Sequence, residues 1–509
     1  YCRLTRPHSP KAQDPCPMRG MAVEGRSVAG VFCAAIAVVC GGCDFGVPPG
    51  AHEGVSYSRE VQPLFNARCA SSGCHGSVSP ASDLELTSWE SVMRGSHHGA
   101  MVIPFRPDRS HLIFHVNHDT TRAPVAHPSM PPDQPLPDGE VELLMQWIRE
   151  GARNDRGEIP FSHPRDGVVL VTNQAEDEIT VIDIETNLII RMVSVGNVVS
   201  PLSPPESPHN VVFSPDGQHY FVNLIVGNEI WKFRTSDHGV AGTVALGTRR
   251  APAQIVLTSD GTKAFVSNFD LTAMHQGIQV FDPRTMDAIQ EIRDQRIVAS
   301  HGVQLTHGET ELWTANQLSD NLAIVDVNTH AVLAVVKVDS TVPDLPTGPP
   351  QFGPYQLVFS PDDSRAYVTC TFSNEVRVFD VPSRTLIAVI PVGPNPLILD
   401  ITPDGSLVYV ANRGRGDSPS RSVSVIQTSD NMEIARIEEV GVEPHGVAIT
   451  KDGKFVYVSC ENLNNPDVPH HPVAGLKTPG TVAVIEVASQ TVFKRIEVGA
   501  FAAGIAVLQ

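Results

Sequence analysis

The sequence predicts two folded domains of unlike class, a small all-α domain followed by an all-β propeller of seven blades. Three observations carry that expectation. A strand ending in a small motif recurs seven times: Val171-Thr172-Asn173, Phe221-Val222-Asn223, Val266-Ser267-Asn268, Thr314-Ala315-Asn316, Val368-Thr369-Cys370, Val410-Ala411-Asn412 and Val458-Ser459-Cys460. Successive copies lie 42 to 54 residues apart, the length of one four-stranded blade. Ahead of them, residues 57–152 show helical spacing at both ends and an irregular middle. Finally, the first copy starts at its second strand, Gly167 to Val171, while Ala503 to Leu508 reads as an inner strand without the rest of a blade. The C-terminal strand therefore closes blade one and removes an open sheet edge.

Taken in order, residues 1–43 read as an upstream extension and a leader. Arg19 and Arg26 form a basic region, and Ser27 to Val39 is an apolar stretch short for a membrane span. It ends in Cys40-Gly41-Gly42-Cys43, which resembles a bacterial lipoprotein cleavage box, with Cys40 where a branched aliphatic is usual. The expectation is export to the periplasm or cell envelope, with a possible membrane tether through lipidated Cys43; an ordinary signal peptide is the alternative. Residues 44–56 are a Gly/Pro-rich linker. The 509 residues carry a formal charge of -19, which argues against nucleic acid and anionic membrane surfaces and is compatible with a basic partner.

In the 57–152 domain, Val61, Leu64 and Phe65 mark an opening helix, and Pro63 is tolerable only in its first turn. Asp138 is the expected N-cap of a closing helix whose apolar face is Val141, Leu144, Met145 and Ile148, with Gly151 ending it. Between them stands Cys69-Ala70-Ser71-Ser72-Gly73-Cys74-His75-Gly76. Two thiols, the second followed by histidine, is the arrangement that attaches c-type haem, with the imidazole as axial ligand. The spacer is four residues where two is usual, so a disulfide loop or half of a zinc site is also open from these residues alone. Ser129-Met130-Pro131-Pro132 offers a thioether in a proline-stiffened loop as the second axial ligand. Met101 competes, and His97, His98, His111, His115, His118 and His127 keep bis-histidine ligation open.

This segment resembles the planctomycete-type cytochrome c domain. The matching elements are Cys74-His75-Gly76, Leu84-Glu85-Leu86, Ile103-Pro104, Ser110-His111-Leu112-Ile113, Met130-Pro131-Pro132 and Trp147-Ile148-Arg149-Glu150-Gly151-Ala152. The resemblance implies one covalent haem c on Cys69 and Cys74, with His75 and Met130 as the iron ligands, and the disulfide and zinc readings recede. Two departures are the four-residue spacer and Phe105, where a glycine is usual after Ile-Pro.

Residues 153–166 form a polar linker and 167–509 the propeller. Second strands such as Val181-Ile182-Asp183 and Val378-Phe379-Asp380 follow the motifs, and turns such as Ser214-Pro215-Asp216-Gly217 precede them. The pattern resembles the YVTN family of propellers, which implies a fold and little chemistry. Innermost strands are expected to start at His209, Ala253, His301, Tyr355, Leu397, His445 and Ala503. His209, His301 and His445, from blades two, four and seven, would face one mouth of the channel, as a three-nitrogen metal site needs. Pro-His-Gly is, however, an ordinary opening for this repeat, and such a mouth can be too wide for three imidazoles to meet one ion. No additional metal is therefore expected in the propeller. His470 and His471 belong to an expected surface loop, and Cys370 and Cys460 to buried positions in non-adjacent blades.

No nucleophile triad, phosphate-cradling loop or dinucleotide fingerprint appears, so no catalytic residues are assigned. Three readings follow: an exported electron carrier whose propeller binds a redox partner or small ligand, an oxidoreductase with its substrate site at the propeller channel and the haem as electron exit, and a surface binding or assembly protein. The electron carrier is preferred, because no second cofactor for difficult chemistry is visible.

Overall fold

Seven sheets of four antiparallel strands each, one per motif, make up the C-terminal two thirds of the computed structural model. The structure describes residues 54–163, 166–197, 205–248, 250–272, 277–344, 348–465 and 477–509. The leader, the Cys43 box and the His470/His471 loop lie outside the described residues.

In the helical domain, a π-helical turn at Tyr57–Val61 runs into α1 (Gln62–Arg68), with Pro63 in the first turn as required. Further short helices are α2 (Trp89–Met93) and α3 (His111–Val116). The closing helix α4 spans Asp138–Arg149 and buries Val141, Leu144, Met145, Trp147 and Ile148. Its N-cap is Pro137, one residue earlier than expected, so Asp138 lies in the first turn, where its charge suits the helix dipole. Gly151 ends the helix at φ +101°, a conformation that favours glycine. Tyr57, Phe65 and Trp147 pack as one aromatic group at the centre, with centroids 5.5 and 6.5 Å from Trp147.

The propeller blades follow the chain in order. Blade one joins Val168–Asn173, Glu178–Asp183 and Ile189–Ser194 to the C-terminal strand Ala502–Leu508, which pairs antiparallel with Val168–Asn173. The inner strands begin at Pro208, Pro252, Ser300, Pro354, Pro396, Pro444 and Ala502, each one residue ahead of the position read from sequence.

The motif explains how blades join. Its first residue is buried between sheets, and in blades one, four and six the Asn at its third position bonds within the blade, as Asn173 Nδ2 does to Thr180 Oγ1 at 2.8 Å. Its middle residue alternates around the ring. In blades one, three, five and seven it is Thr172, Ser267, Thr369 and Ser459, whose hydroxyls donate to the inner strand of the next blade, at His209 O (3.2 Å), His301 O (2.5 Å), Leu397 O (2.7 Å) and Ala503 O. In blades two, four and six it is Val222, Ala315 and Ala411, which are fully buried. Cys370 and Cys460 take the Asn position in blades five and seven; both are buried and free, and burial pushes the Cys460 thiol up to about 12.

The helical domain rests on blade one. Arg106 Nη2 lies 2.6 Å from Glu178, and Arg109 Nη2 lies 3.1 and 3.0 Å from Glu176 and Glu178. Phe105 occupies the position where glycine is usual, at φ +69°. Its ring covers Gly151, where an added Cβ would meet Phe105 Cζ at 2.8 Å, and the Arg191 guanidinium of the propeller lies 5.8 Å from the ring centroid. The departure at Phe105 thus serves the contact between domains.

Candidate functional site

The Cys69–Gly76 loop begins where α1 stops, with Arg68 bridged to Glu140 of α4 at 2.8 Å. It folds back on itself: His75 N–H donates to Cys69 O (3.1 Å) and Cys74 N–H to Ser71 O (3.1 Å). The four-residue spacer is accommodated as this turn. An added Cβ at Gly76 would come within 3.1 Å of the Ala70 and Ser71 carbonyl oxygens, so a glycine after the histidine lets the loop close. Cys69 and Cys74 are both free, Cys74 exposed and Cys69 half-buried. Burial and then the neighbouring Cys74 push the Cys69 thiol up to about 11. The His75 ring places Nδ1 3.0 Å from Leu84 O. A carbonyl only accepts, so Nδ1 holds the proton and Nε2 the lone pair, the tautomer a metal-ligating imidazole needs.

The second-ligand loop is tied to α3. Met130 N–H donates to His115 O at 2.7 Å, and His115 Nδ1 faces Pro128 O at 2.9 Å. Met130 is half-buried and packs against the helical core. Met101, its rival, is buried in that core with Sδ 3.6 Å from Ser96 Oγ, so it acts as filler. Among the histidines, His97, His98, His118 and His127 are exposed, and His111 turns to the propeller side of the domain. Two free thiols, an imidazole of correct tautomer and a loop-borne thioether are the donor types a haem c would take, and Cys69, Cys74, His75 and Met130 are the residues that could hold one.

At the propeller axis the three histidines meet. His209 Nε2 and His301 Nε2 are 3.0 Å apart, and the His209 ring centroid lies 5.3 Å from both His301 and His445. The mouth is narrow rather than wide because glycines let the inner strands approach: Gly302 and Gly446 follow His301 and His445, and Gly504 lies against the His209 carbonyl. An added Cβ at Gly446 would meet Ala503 O at 2.5 Å, and one at Gly504 would meet His209 O at 2.4 Å. The cavity between the three rings is only about 30 Å³. Around it stand residues that the repeat reading passed over, and each directly follows a motif. Gln174 Nε2 is 2.6 Å from His209 Nδ1, Glu461 Oε1 is 2.6 Å from His445 Nδ1, and Arg413 clamps Glu461 at 2.9 and 2.6 Å. The fourth position of the repeat would have signalled them. Burial, then the neighbouring His445, depress the His209 pKa to about 3, and burial holds His301 well below its usual range. Burial pushes Glu461 up, but hydrogen bonds from His445 and Arg413 outweigh it and leave the carboxyl below its ordinary value.

With this geometry in place, comparison with known proteins gives a consistent result. Residues 72–134 match the family "Planctomycete cytochrome C". Residues 336–469 match "Lactonase, 7-bladed beta-propeller". The chain is 27% identical over 118 residues to Antigen Lp49 of Leptospira interrogans, a match covering 23% of this chain and about a quarter of that protein's length. Among solved structures, a functionally unknown protein from Desulfotomaculum acetoxidans is 13% identical with a TM-score of 0.52, covering 67% of this chain and 99% of that one. A putative 6-phosphogluconolactonase from Bacteroides fragilis is 16% identical with a TM-score of 0.51, covering 68% and 99%. Likeness at this level identifies the propeller fold alone.

Between the cytochrome domain and the propeller lies a cleft of about 520 Å³, whose walls include His97, His111 and Phe114 on one side and Met192, Phe493 and Lys494 on the other. It is the larger of the two cavities described here by more than tenfold, and the axial cavity has room for a water-sized body only.

Proposed function

We propose that the protein is an exported electron carrier with one haem c, bound through Cys69 and Cys74 and ligated by His75 and Met130, whose propeller binds a redox partner or a small ligand. The observation that carries this is the Cys69–Gly76 loop, which presents both thiols beside an imidazole whose Nδ1 is occupied by Leu84 O. When bound, the haem would supply a one-electron couple, and a thioether donor together with an imidazole would raise its potential. The chain's own contribution is positional. Leu84 O sets the His75 tautomer, His115 O holds the backbone of Met130, and Arg68–Glu140 anchors the loop to α4. The match of residues 72–134 supports the assignment.

A second reading, substrate oxidation with the haem as electron exit, gains from the size of the interdomain cleft and not from the channel. A cavity of about 30 Å³ at the axis has no room for an organic substrate, whereas the cleft borders the cytochrome domain directly.

The test is expression in a cytochrome-c-maturing host, followed by pyridine haemochrome and ferric near-infrared spectra. Covalent haem with a sulfur-to-iron charge-transfer band is expected. Absence of covalent haem sinks the reading, and covalent haem without that band removes Met130 in favour of a histidine or an open position. Mass spectrometry of the Cys69–His75 peptide is expected to show two thioether bonds. Reduction of the haem by a small molecule without any protein partner would favour the second reading.

A further inference from the structure

The axial cluster is not used by electron transfer at the cytochrome domain, yet it is built with care. His209, His301 and His445 are 6%, 1% and 5% exposed, and each is set at the second residue of an inner strand. The carbonyls of His209 and His301 are held from behind by Thr172 and Ser267. The rings are set from behind as well. Glu461 is fixed by Arg413 and accepts from His445 Nδ1, so His445 carries its proton there and its Nε2 is bare. With the Gln174 amide nitrogen on His209 Nδ1, the His209 proton is on Nε2 and is donated to His301 Nε2, and His301 Nδ1 has no hydrogen-bond partner. His209 faces the amide of Gln174, and turning that amide over would put its oxygen on Nδ1–H and bare the third Nε2.

The dimensions suit one ion. Two imidazole nitrogens at about 2.0–2.1 Å from a tetrahedral cation stand about 3.3 Å apart, against 3.0 Å between His209 and His301. Among the described residues no group of three His, Cys, Asp or Glu side chains is placed to hold a metal ion as it stands, so binding requires the three rings to rearrange. The hydrogen bond between His209 and His301 closes the space, and an ion would replace it after a shift of a few tenths of an ångström. The cavity of about 30 Å³ admits a single ion or water and excludes anything larger.

We propose that the propeller axis is a three-imidazole site for a late first-row divalent cation such as Zn²⁺, with His209, His301 and His445 as ligands and Glu461 and Gln174 as positioning residues. Neutral nitrogen donors select this class over Mg²⁺ and Ca²⁺, which take oxygen. A carboxylate behind a ligating imidazole is the usual means of fixing its tautomer and raising its basicity. Because the ligands come from blades two, four and seven, the ion would staple three non-adjacent blades. The site is independent of the haem reading.

The experiment uses the full-length haem-loaded protein, stripped with chelator and dialysed against Zn²⁺. Elemental analysis is expected to give one zinc per chain beside the haem iron, and X-ray absorption at the zinc edge to give nitrogen neighbours at about 2.0–2.1 Å. His301→Ala with His445→Ala is expected to abolish bound zinc at unchanged iron content. Glu461→Gln, which keeps the shape of the site, is expected to weaken zinc binding about 10- to 100-fold and keeps the test informative if the double variant does not fold. Iron alone after dialysis, oxygen- or sulfur-dominated zinc neighbours, or zinc that survives in the folded double variant would each overturn the proposal.

Discussion

The helical domain and the propeller bury comparable kinds of side chain by opposite means. In the first, one core of short helices and loops converges on Trp147, and the candidate haem-binding residues sit on two loops, Cys69–Gly76 and Met130–Pro132. In the second, one motif is used seven times and the core is divided among the spaces between blades, so that Trp313 packs with Phe359 of the next blade and not with a common centre. The difference teaches where single residues matter. In the helical domain nearly every large side chain lacks a substitute. In the propeller a defect is confined between two sheets, while at the axis all seven blades meet and single residues matter again.

The largest expected effect tests whether the two regions are separable. Cys69→Ala with Cys74→Ala removes covalent haem completely by haemochrome assay, while the propeller's unfolding transition stays where it was; a propeller that collapses with haem loss would break the comparison. Next, Trp147→Ala and Trp313→Ala each delete a fully buried ring, at about 3–5 kcal/mol. Two-probe chemical denaturation should show the first unfolding the small domain ahead of the propeller, and the second lowering the propeller's midpoint alone. Arg106→Ala leaves Glu178, 6% exposed, with one fewer partner at the domain contact. We expect about 3 kcal/mol of lost stability, partly restored by adding Glu178→Gln, as read in the separation of the two transitions. Ser267→Ala breaks one hydroxyl stitch between blades three and four, at about 1 kcal/mol.

The smallest effect is a pH dependence. Burial, then the neighbouring Arg191, depress the His238 pKa to about 4. The unfolded chain titrates near 6.5 and so binds the extra proton first as pH falls. His238 therefore contributes stability that is fully present above about pH 6.5 and is lost as the pH drops through about 4. Because the side chain is half-exposed, the contribution is of the order of 1 kcal/mol. His238→Asn should flatten the unfolding midpoint across that window and leave it unchanged at pH 8.

Much of this was legible in the sequence where periodicity carried it. The seven motifs, the order of blades and closure by Ala502–Leu508 all follow from the repeat, because hydrogen-bonded sheets force regular spacing. The helices bearing Phe65 and Trp147 could be placed from their apolar faces, with Asp138 off by one residue because a cap depends on local geometry. The narrow axis was the harder inference. It depends on how closely seven inner strands approach, and the sign of it, glycine at 446 and 504, has meaning only once the ring is closed. Phe105 was visible as a departure, but its partners Gly151 and Arg191 lie 46 and 86 residues away.

The pairing of Val168–Asn173 with Ala502–Leu508 has a temporal consequence. The first blade of the ring stays incomplete until the final strand arrives, more than 300 residues later in synthesis. The propeller therefore has a last step, and until it occurs an unpaired strand edge is available to other chains. The Cys69–His75 loop and the adjoining Arg68 make their hydrogen bonds and ion pair to partners no later than Glu140. Folding of that loop and closure of the ring are thus separate events on different clocks, and a chain halted between them would carry a finished loop on an unfinished, adhesive wheel.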